Sequence, residues 1–120
     1  MARPSGARTR EARLDDTFAA LADPTRRRVV DLLRQGPRCA GELAAEFDVS
    51  APAISRHLRV LRTRGLIEEE PSPRDARMRV YRLRREPFVG LHSWLDQVEA
   101  FWGEQLDSFR ELAESRGRRS

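Results

Sequence analysis

The first third of the chain carries apolar residues at helical spacing. Leu14, Phe18 and Leu21 stand at i, i+4 and i+7, which predicts one face of a helix. Asp23-Pro24 supplies an N-cap and a proline for a first turn, so a second helix is expected from there to about residue 34. Its apolar side consists of Val29, Val30, Leu32 and Leu33. A glycine and a proline follow and end this helix.

A short helix, a turn and a longer helix are predicted next. Leu43 and Phe47 lie four residues apart in a short helix over about residues 39–47. After a turn, Ser50 caps a fourth helix of about 14 residues, and Gly65 stops it because glycine tolerates a left-handed backbone. Helix, three-residue turn and helix form the supersecondary unit of many DNA-binding domains.

The residues after the fourth helix predict a β-hairpin. Residues 66–70 and 77–83 have strand-like content, and the turn-rich residues 71–76 separate them. A hairpin directly after the second helix of the unit makes it a winged helix-turn-helix. The predicted fold is therefore mainly α-helical with a β-hairpin wing.

A long amphipathic helix is predicted at the C-terminal end. Its apolar residues alternate at spacings of three and four, at Phe88, Leu91, Leu95, Val98, Trp102, Phe109 and Leu112, and Trp94, Phe101 and Leu106 widen the stripe. So broad a face needs more covering than one small domain supplies, which predicts a dimer through the terminal helices. The candidate dimerisation residues are Leu14, Phe18, Leu91, Leu95, Val98, Phe101, Trp102 and Phe109. The expected organisation is a disordered basic arm at residues 1–13, a winged helix-turn-helix domain at residues 14–85 and a dimerisation helix at residues 86–116.

Positive charge is concentrated in one part of the chain. The 120 residues carry 23 arginines and no lysine, with a formal net charge of +4. Residues 49–85 hold ten arginines against four acidic residues, a net +6, whereas residues 86–120 have a net −3. The excess thus lies on the predicted fourth helix and hairpin, the elements that would touch nucleic acid.

Cysteine usage and hydropathy indicate the compartment. A single cysteine excludes an internal disulfide and fits a reducing environment. No stretch approaches about 18 apolar residues, and the basic N-terminus is not followed by an apolar run. We therefore expect a cytoplasmic protein with no membrane partner.

The fourth helix presents a polar face opposite its apolar edge. At about 100° per residue, Ile54, Leu58 and Leu61 form the buried edge. The candidate DNA contacts that start this helix or point away from its edge are Ser50, Pro52, Ser55, Arg56, Arg59 and Thr63. An arginine there can donate two hydrogen bonds to guanine O6 and N7, and the hydroxyls can bond phosphates or base edges.

The predicted hairpin adds four arginines of two kinds. Arg74 and Arg77 flank the tip and are predicted to meet phosphates or to enter a narrow minor groove. Arg79 and Arg82 are expected instead to pair across the hairpin with the glutamates at residues 68–70.

Several stretches, taken together and in this order, resemble the ArsR/SmtB family of bacterial winged-helix repressors over nearly the whole of residues 15–115. They are Phe18-Ala19-Ala20-Leu21-Ala22-Asp23-Pro24-Thr25-Arg26-Arg27, Gly41-Glu42-Leu43-Ala44, Ser50-Ala51-Pro52-Ala53-Ile54-Ser55-Arg56-His57-Leu58, Leu61, Gly65-Leu66 and Tyr81-Arg82-Leu83. The resemblance implies a symmetric dimer formed by the first and last helices. It also implies that the helix starting at Ser50 binds operator DNA, and that a signal relieves repression.

Two positions bear on how DNA would be read. Many relatives have glutamine after the capping serine, where this chain has Ala51, so reading is expected to shift to Ser55, Arg56 and Arg59. His57 matches the family's usual histidine and lies beside the buried edge of the helix. It is a candidate DNA contact or, equally, a packed and hydrogen-bonded histidine.

Metal and catalytic sites are not predicted. Relatives that sense soft metals often carry Cys-Val-Cys where this chain has Cys39-Ala40-Gly41, so one of the two thiolates is missing. His92, Asp96 and Glu99 share a helix face, but their spacing does not match the zinc-ligand pattern of other relatives. No phosphate-binding loop, nucleophile elbow or zinc-protease motif is present, so no enzyme activity and no cofactor are expected.

The leading interpretation is a homodimeric, sequence-specific DNA-binding repressor. Its partners would be a double-stranded DNA operator and a second copy of the chain, and the sequence does not identify the effector. The alternative is a winged-helix dimerisation module that contacts other proteins and reads no DNA. The acidic last helix and the missing glutamine favour that alternative.

Overall fold

The computed structural model of the chain describes the backbone of residues 9–119 and the side chains of residues 9–117. Its elements are α1 (Arg10–Leu21), α2 (Pro24–Leu33), β1 (Arg38–Cys39), α3 (Ala40–Ala44), α4 (Ala51–Thr63), β2 (Ile67–Pro71), β3 (Arg79–Leu83) and α5 (Glu86–Arg119). The chain divides into two compact units, residues 1–88 and residues 89–120. The predicted fold class, mainly helical with a winged helix-turn-helix, is confirmed.

The first helix begins four residues earlier than its apolar pattern predicts. Thr9 is the N-cap of α1, and its Oγ1 accepts a hydrogen bond from the Ala12 N–H at 3.0 Å. The prediction of a disordered arm over residues 1–13 is therefore wrong for residues 10–13, because a capped first turn needs no apolar residue. Residues 1–8 of that predicted arm lie outside the described residues.

The inward face of α1 is made of small and polar residues. Asp16, Thr17 and Ala20 are buried, whereas Leu14 is half-buried and Phe18 is exposed. Thr17 satisfies its hydroxyl within the helix by donating to the Arg13 carbonyl at 3.0 Å. The apolar spacing of Leu14 and Phe18 therefore marks the outer face of α1 rather than the face that covers its own core.

The junction between α1 and α2 is tied by side chains that cap both helix ends. Asp23 is the N-cap of α2, and its Oδ2 accepts from the Arg26 N–H at 2.9 Å. Arg26 and Arg27 reach backwards and donate to the last carbonyls of α1, those of Ala19, Ala20 and Leu21. The run Asp23-Pro24-Thr25-Arg26-Arg27 thus starts one helix and closes the previous one.

The sheet has three antiparallel strands in the order β1-β3-β2. The register pairs Ile67 with Leu83 and Glu69 with Tyr81, while β1 pairs Arg38 with Tyr81 on the other side of β3. The predicted hairpin is present, with its strands starting one and two residues later than expected. The third strand, β1, was not predicted, because two residues are too few to show an alternating pattern.

The core of the first unit lies between the helices and the sheet. Ile54, Leu58 and Leu61 of α4 are all buried, which confirms the predicted apolar edge. The other buried apolar residues are Ala20, Val29, Val30, Leu33, Leu43, Leu66 and Ile67. Gly65, at φ 85°, ends α4, and the Leu66 N–H bonds back to the Leu61 carbonyl at 2.9 Å. This left-handed turn sends the chain into β2.

The second unit consists of the greater part of α5, a helix of 34 residues that ends three residues beyond the predicted residue 116. Its exposed large apolar side chains are Val89, Trp94, Leu95, Phe101, Trp102, Leu106, Phe109 and Leu112. Phe101 and Trp102 contact each other edge to face, with ring centroids 5.7 Å apart. No helix of the described chain is long and apolar enough to cross a membrane.

Candidate nucleic-acid interface

The outer face of α4 is polar and open to solvent. Pro52, Ser55, Arg56, Arg59 and Thr63 are all exposed, as the helical periodicity predicted. Ser50 is exposed as well and serves as the N-cap, with its Oγ accepting from the Ala53 N–H at 3.3 Å. Six of the predicted contact residues thus lie on or at the start of one accessible helix. We refer to α4 as the recognition helix below.

Two arginines on this face are not neutralised from within the molecule. Arg56 and Arg59 form no ion pair and no side-chain hydrogen bond with any residue that the structure describes. Their guanidinium groups can therefore approach an external acceptor without first breaking an internal contact. Because guanidinium offers a planar set of donors, it suits both a guanine edge and a phosphate.

His57 does not lie on this exposed face. Its imidazole is half-buried, and its Nδ1 lies 3.7 Å from Oδ2 of Asp23, the N-cap of α2. The hydrogen bond from the Arg26 N–H, together with the charges of His57 and Arg26, lowers the pKa of the Asp23 carboxyl below its usual value. Of the two interpretations of His57, the structure favours the packed histidine that braces the recognition helix against α2.

The C-terminal end of the recognition helix is held by two further ion pairs. Arg64 Nη1 contacts Asp16 Oδ1 at 2.8 Å, and Asp16 is only 6% exposed. Arg62 pairs with Glu69 of β2. The first pair was not predicted from the sequence, because its partners stand 48 residues apart. An acidic residue within the helical pattern of α1 was the only signal that could have pointed to it.

The wing consists of β2, β3 and residues 72–78 between them. Arg74 and Arg77 lie exposed near its tip, as predicted. Arg77 is engaged locally, since Asp75 Oδ1 accepts from its backbone N–H at 3.0 Å and lies 3.4 Å from its Nε. A hydrogen bond from the Ser72 N–H to the Met78 carbonyl, at 2.8 Å, closes the base of this loop.

The arginines at the base of the wing are paired, as expected. Arg82 Nε donates to Glu68 Oε1 at 2.6 Å, and this hydrogen bond and charge raise the pKa of Arg82. Arg79 Nε lies 3.5 Å from Glu69 Oε1. Burial, followed by the charge of Glu69, raises the pKa of the neighbouring Tyr81. These arginines serve the hairpin itself.

The thiol and the candidate metal ligands each have contacts of their own. Cys39 is half-buried at the N-cap of α3, where the Glu42 carboxylate accepts from its backbone N–H at 3.2 Å. The Cys39 side chain, which also bonds this carboxylate, lowers the pKa of Glu42. His92 Nε2 lies 3.8 Å from Asp96 Oδ2 on the exposed side of α5. Within the described residues, no three or more metal-binding side chains converge.

The candidate dimerisation residues differ in exposure. Leu14, Leu91 and Val98 are half-buried, whereas the exposed ones are Phe18, Leu95, Phe101, Trp102 and Phe109. Among these exposed residues of α5, the exposed fraction is 43% at Leu95 and reaches 71% at Phe109. Seven large apolar side chains of α5 are more than two-fifths exposed each, which is unusual for the surface of a monomer.

Comparison with known proteins agrees with this architecture. The model of the arsR family of bacterial regulatory proteins matches residues 23–69, from the N-cap of α2 to β2. The HTH-type transcriptional regulator Rv2034 of Mycobacterium tuberculosis is 40% identical over 103 residues, which cover 86% of this chain and 91% of that protein.

Two solved structures are similar over most of the chain. The ArsR-like transcriptional regulator from Rhodococcus sp. RHA1 is 32% identical with a TM-score of 0.70, over 87% of this chain and 93% of that one. The homodimeric winged helix-turn-helix DNA-binding domain Mb0332 from Mycobacterium bovis is 28% identical with a TM-score of 0.58, over 81% and 90% of the two chains. The resemblance inferred from the sequence is thus confirmed, and the chain belongs to the ArsR family of bacterial regulatory proteins.

Proposed function

We propose that this chain is a homodimeric repressor that binds operator DNA through α4 and the wing and is released by a signal. One observation carries the proposal. Arg56 and Arg59 stand exposed and unneutralised by the described residues, while Arg62 of the same helix and Arg64 at its C-cap are held by carboxylates. The guanidinium groups of α4 that have no carboxylate partner among the described residues thus lie on the exposed face that would enter a major groove. Because bacterial operators lie in the cytoplasm, the protein would act there.

Sequence reading is assigned to the middle of the recognition helix. Ala51 has no side-chain donor or acceptor, and the hydroxyl of Ser50 is engaged as a cap. Arg56 and Arg59 are the groups that can make two-pronged contacts to guanine, each worth about 1–3 kcal/mol of discrimination. Ser55 and Thr63 lie on the same side and can bond base edges or phosphates.

Dimerisation is assigned to the terminal helices, each on its own evidence. On α5, Leu95, Trp102 and Phe109 recur every seven residues, a spacing typical of a helix that pairs with another helix. On α1, Phe18 turns away from the buried side. A twofold dimer would present two recognition helices to half-sites about one helical turn of DNA apart. The homodimeric state of the similar Mb0332 domain supports this assignment.

The alternative, a dimerisation module that reads no DNA, is not favoured. A winged helix used only for protein contacts has no need for two uncompensated arginines on its recognition helix. The similar proteins also carry the names of transcriptional regulators. The net charge of −3 over residues 86–120 fits a segment that stays away from the DNA backbone.

The test is selection from a pool of random duplexes, followed by titration of the selected duplex and a random one. We expect a selected sequence that binds at least about 1,000-fold more tightly than random DNA. Arg56→Ala and Arg59→Ala should each lower that ratio by roughly 5- to 150-fold. Arg85→Ala is the matched control, since it removes the same charge from an exposed position outside α4. Failure to enrich any sequence, or an equal loss of the ratio in Arg85→Ala, would overturn the proposal.

A further inference from the structure

The three glutamates of β2 are divided between the two faces of the strand. Side chains alternate along a strand, so Glu69 shares the inward face with the buried Ile67, while Glu68 and Glu70 lie on the opposite face. On that opposite face, Arg82 contacts both of them, at 2.6 Å from Glu68 and 3.8 Å from Glu70. Glu69 is therefore the only one of the three that faces the recognition helix.

Glu69 joins two guanidinium groups from two different elements. Its Oε2 is paired with Arg62 of α4, and its Oε1 lies 3.5 Å from Nε of Arg79 on β3. The Glu69 side chain is 19% exposed, whereas those of Arg62 and Arg79 are 52% and 56% exposed. Both arginine side chains thus remain accessible to solvent, while their guanidinium groups pair with a carboxylate that is mostly buried. These three side chains border an open hollow between the recognition helix and the wing.

A carboxylate and a phosphate present similar oxygen acceptors to guanidinium. An arginine whose donors are taken by a carboxylate contributes less to the sequence-independent attraction of the DNA backbone. That attraction sets the binding of random DNA, and it scales with the number of phosphates neutralised. A carboxylate that occupies two arginines at the wing base therefore lowers binding to any sequence, and it also fixes the wing against the helix that reads bases.

We propose that Glu69 is a positioning residue, which holds Arg62 and Arg79 in place of a DNA phosphate and so lowers the sequence-independent part of DNA binding. The inference rests on the proposed function, because it assigns a role within the same interface. Specific binding keeps the contacts of Arg56 and Arg59, which Glu69 does not touch. The loss of Glu69 should accordingly strengthen the binding of operator and random DNA alike.

The experiment compares Glu69→Gln with Glu70→Gln, a matched loss of one charge from the opposite face of the same strand. Binding of a random duplex is measured over a series of salt concentrations. We expect the slope of log affinity against log salt to steepen by about one to two units in Glu69→Gln, because up to two arginines become available to phosphates. Random and operator DNA should both bind several-fold more tightly, and the operator-to-random ratio should change little. Glu70→Gln should leave the slope and the ratio unchanged.

A rescue variant separates charge release from structural damage. Glu69→Gln combined with Arg62→Gln and Arg79→Gln should return the salt slope to that of the wild type. If Glu69→Gln does not fold, Arg62→Gln serves instead, and it should leave the slope on random DNA unchanged because Arg62 is already neutralised. A slope that stays constant in folded Glu69→Gln, or that falls by about one unit in Arg62→Gln, would overturn the inference.

The two proposals fail in different ways. If the wild-type protein selects no sequence, the proposed function fails, and the salt slope on random DNA still measures whether Glu69 restrains the two arginines. If the wild type discriminates while Glu69→Gln keeps both the slope and the affinity for random DNA, only the role of Glu69 is refuted.

Discussion

Asp23 caps α2 and also contacts the recognition helix. Variants that remove these two contacts separately should lower the stability of the fold by different amounts. Its carboxylate caps α2 through the Arg26 N–H at 2.9 Å, and it faces His57 of α4 at 3.7 Å. Asp23→Ala removes both contacts. Asp23→Asn keeps an oxygen that can cap the helix and removes only the negative charge.

The magnitudes follow from these contacts. Replacement of a capping aspartate by alanine costs about 1 kcal/mol, with a range of roughly 0.5–2 kcal/mol. The pair with His57 is partly exposed and longer than a hydrogen bond, so it adds about 0.5 kcal/mol or less. We expect Asp23→Ala to lower the free energy of unfolding by about 1–2 kcal/mol, and Asp23→Asn by about 0.5 kcal/mol. Each kcal/mol corresponds to roughly 4–8 °C in Tm for a domain of about this size.

The assay is urea unfolding at one fixed protein concentration, because the stability of a dimer depends on concentration. The pH dependence gives a second measurement. The folded-state pKa of Asp23 is lowered, so its charge stabilises the protein at neutral pH, and this contribution is lost as the pH falls through that pKa. The difference between wild type and Asp23→Asn should therefore shrink as the pH is lowered from about 5 to below 3.

Two results would refute this reasoning. Equal destabilisation by Asp23→Ala and Asp23→Asn at pH 7 would mean that the cap contributes nothing beyond the charge. A difference between wild type and Asp23→Asn that grows as the pH falls from about 5 to below 3 would mean that the carboxylate is not favoured in its charged form by the folded state.

Three further outcomes are expected. Arg74→Ala and Arg77→Ala should each weaken the binding of operator and random DNA alike and reduce the salt slope by about one unit. A collapse of the operator-to-random affinity ratio in titrations would contradict this expectation. Replacement of Phe101 and Trp102 by glutamine should give a monomer or an unfolded chain in sedimentation, whereas a folded wild-type monomer at micromolar concentration would contradict dimerisation through α5. Stoichiometric zinc, cadmium or arsenite should not release operator DNA in a mobility-shift assay, and release that Cys39→Ser abolishes would show that the lone thiol does sense metal.

The parts of the fold that could be predicted are those whose sequence signal is local and repeated. The recognition helix has a cap at Ser50, a left-handed stop at Gly65 and three apolar residues at helical spacing between them, and the structure has all three features. The strand β1 offered no such signal, since its two residues become a strand only through pairing with β3. The start of α1 was missed because Thr9 caps a turn that contains no apolar stripe.

Among the charged contacts, too, only those that follow from local sequence could be predicted. Pairing of Arg82 with Glu68 could be predicted, because residues directly opposite in a hairpin follow from the strand positions. The contact of Arg64 with Asp16 could not, because it depends on how two helices distant in sequence meet. His57 was left open for a similar reason, since only the packing of α4 against α2 brings it to Asp23.

The ion pairs reduce the number of arginines in the basic segment that are available to DNA. By formal charge, residues 49–85 offer ten arginines to DNA. Six of them are engaged by carboxylates, namely Arg62, Arg64, Arg77, Arg79, Arg82 and Arg84. Among the described residues, the four without such a partner are Arg56, Arg59, Arg74 and Arg85. Because the sequence-independent attraction grows with each neutralised phosphate, this pairing keeps it modest. A larger share of the binding free energy then rests on the two arginines of the recognition helix, whose exposed guanidinium groups can contact base edges and so distinguish an operator from the surrounding DNA.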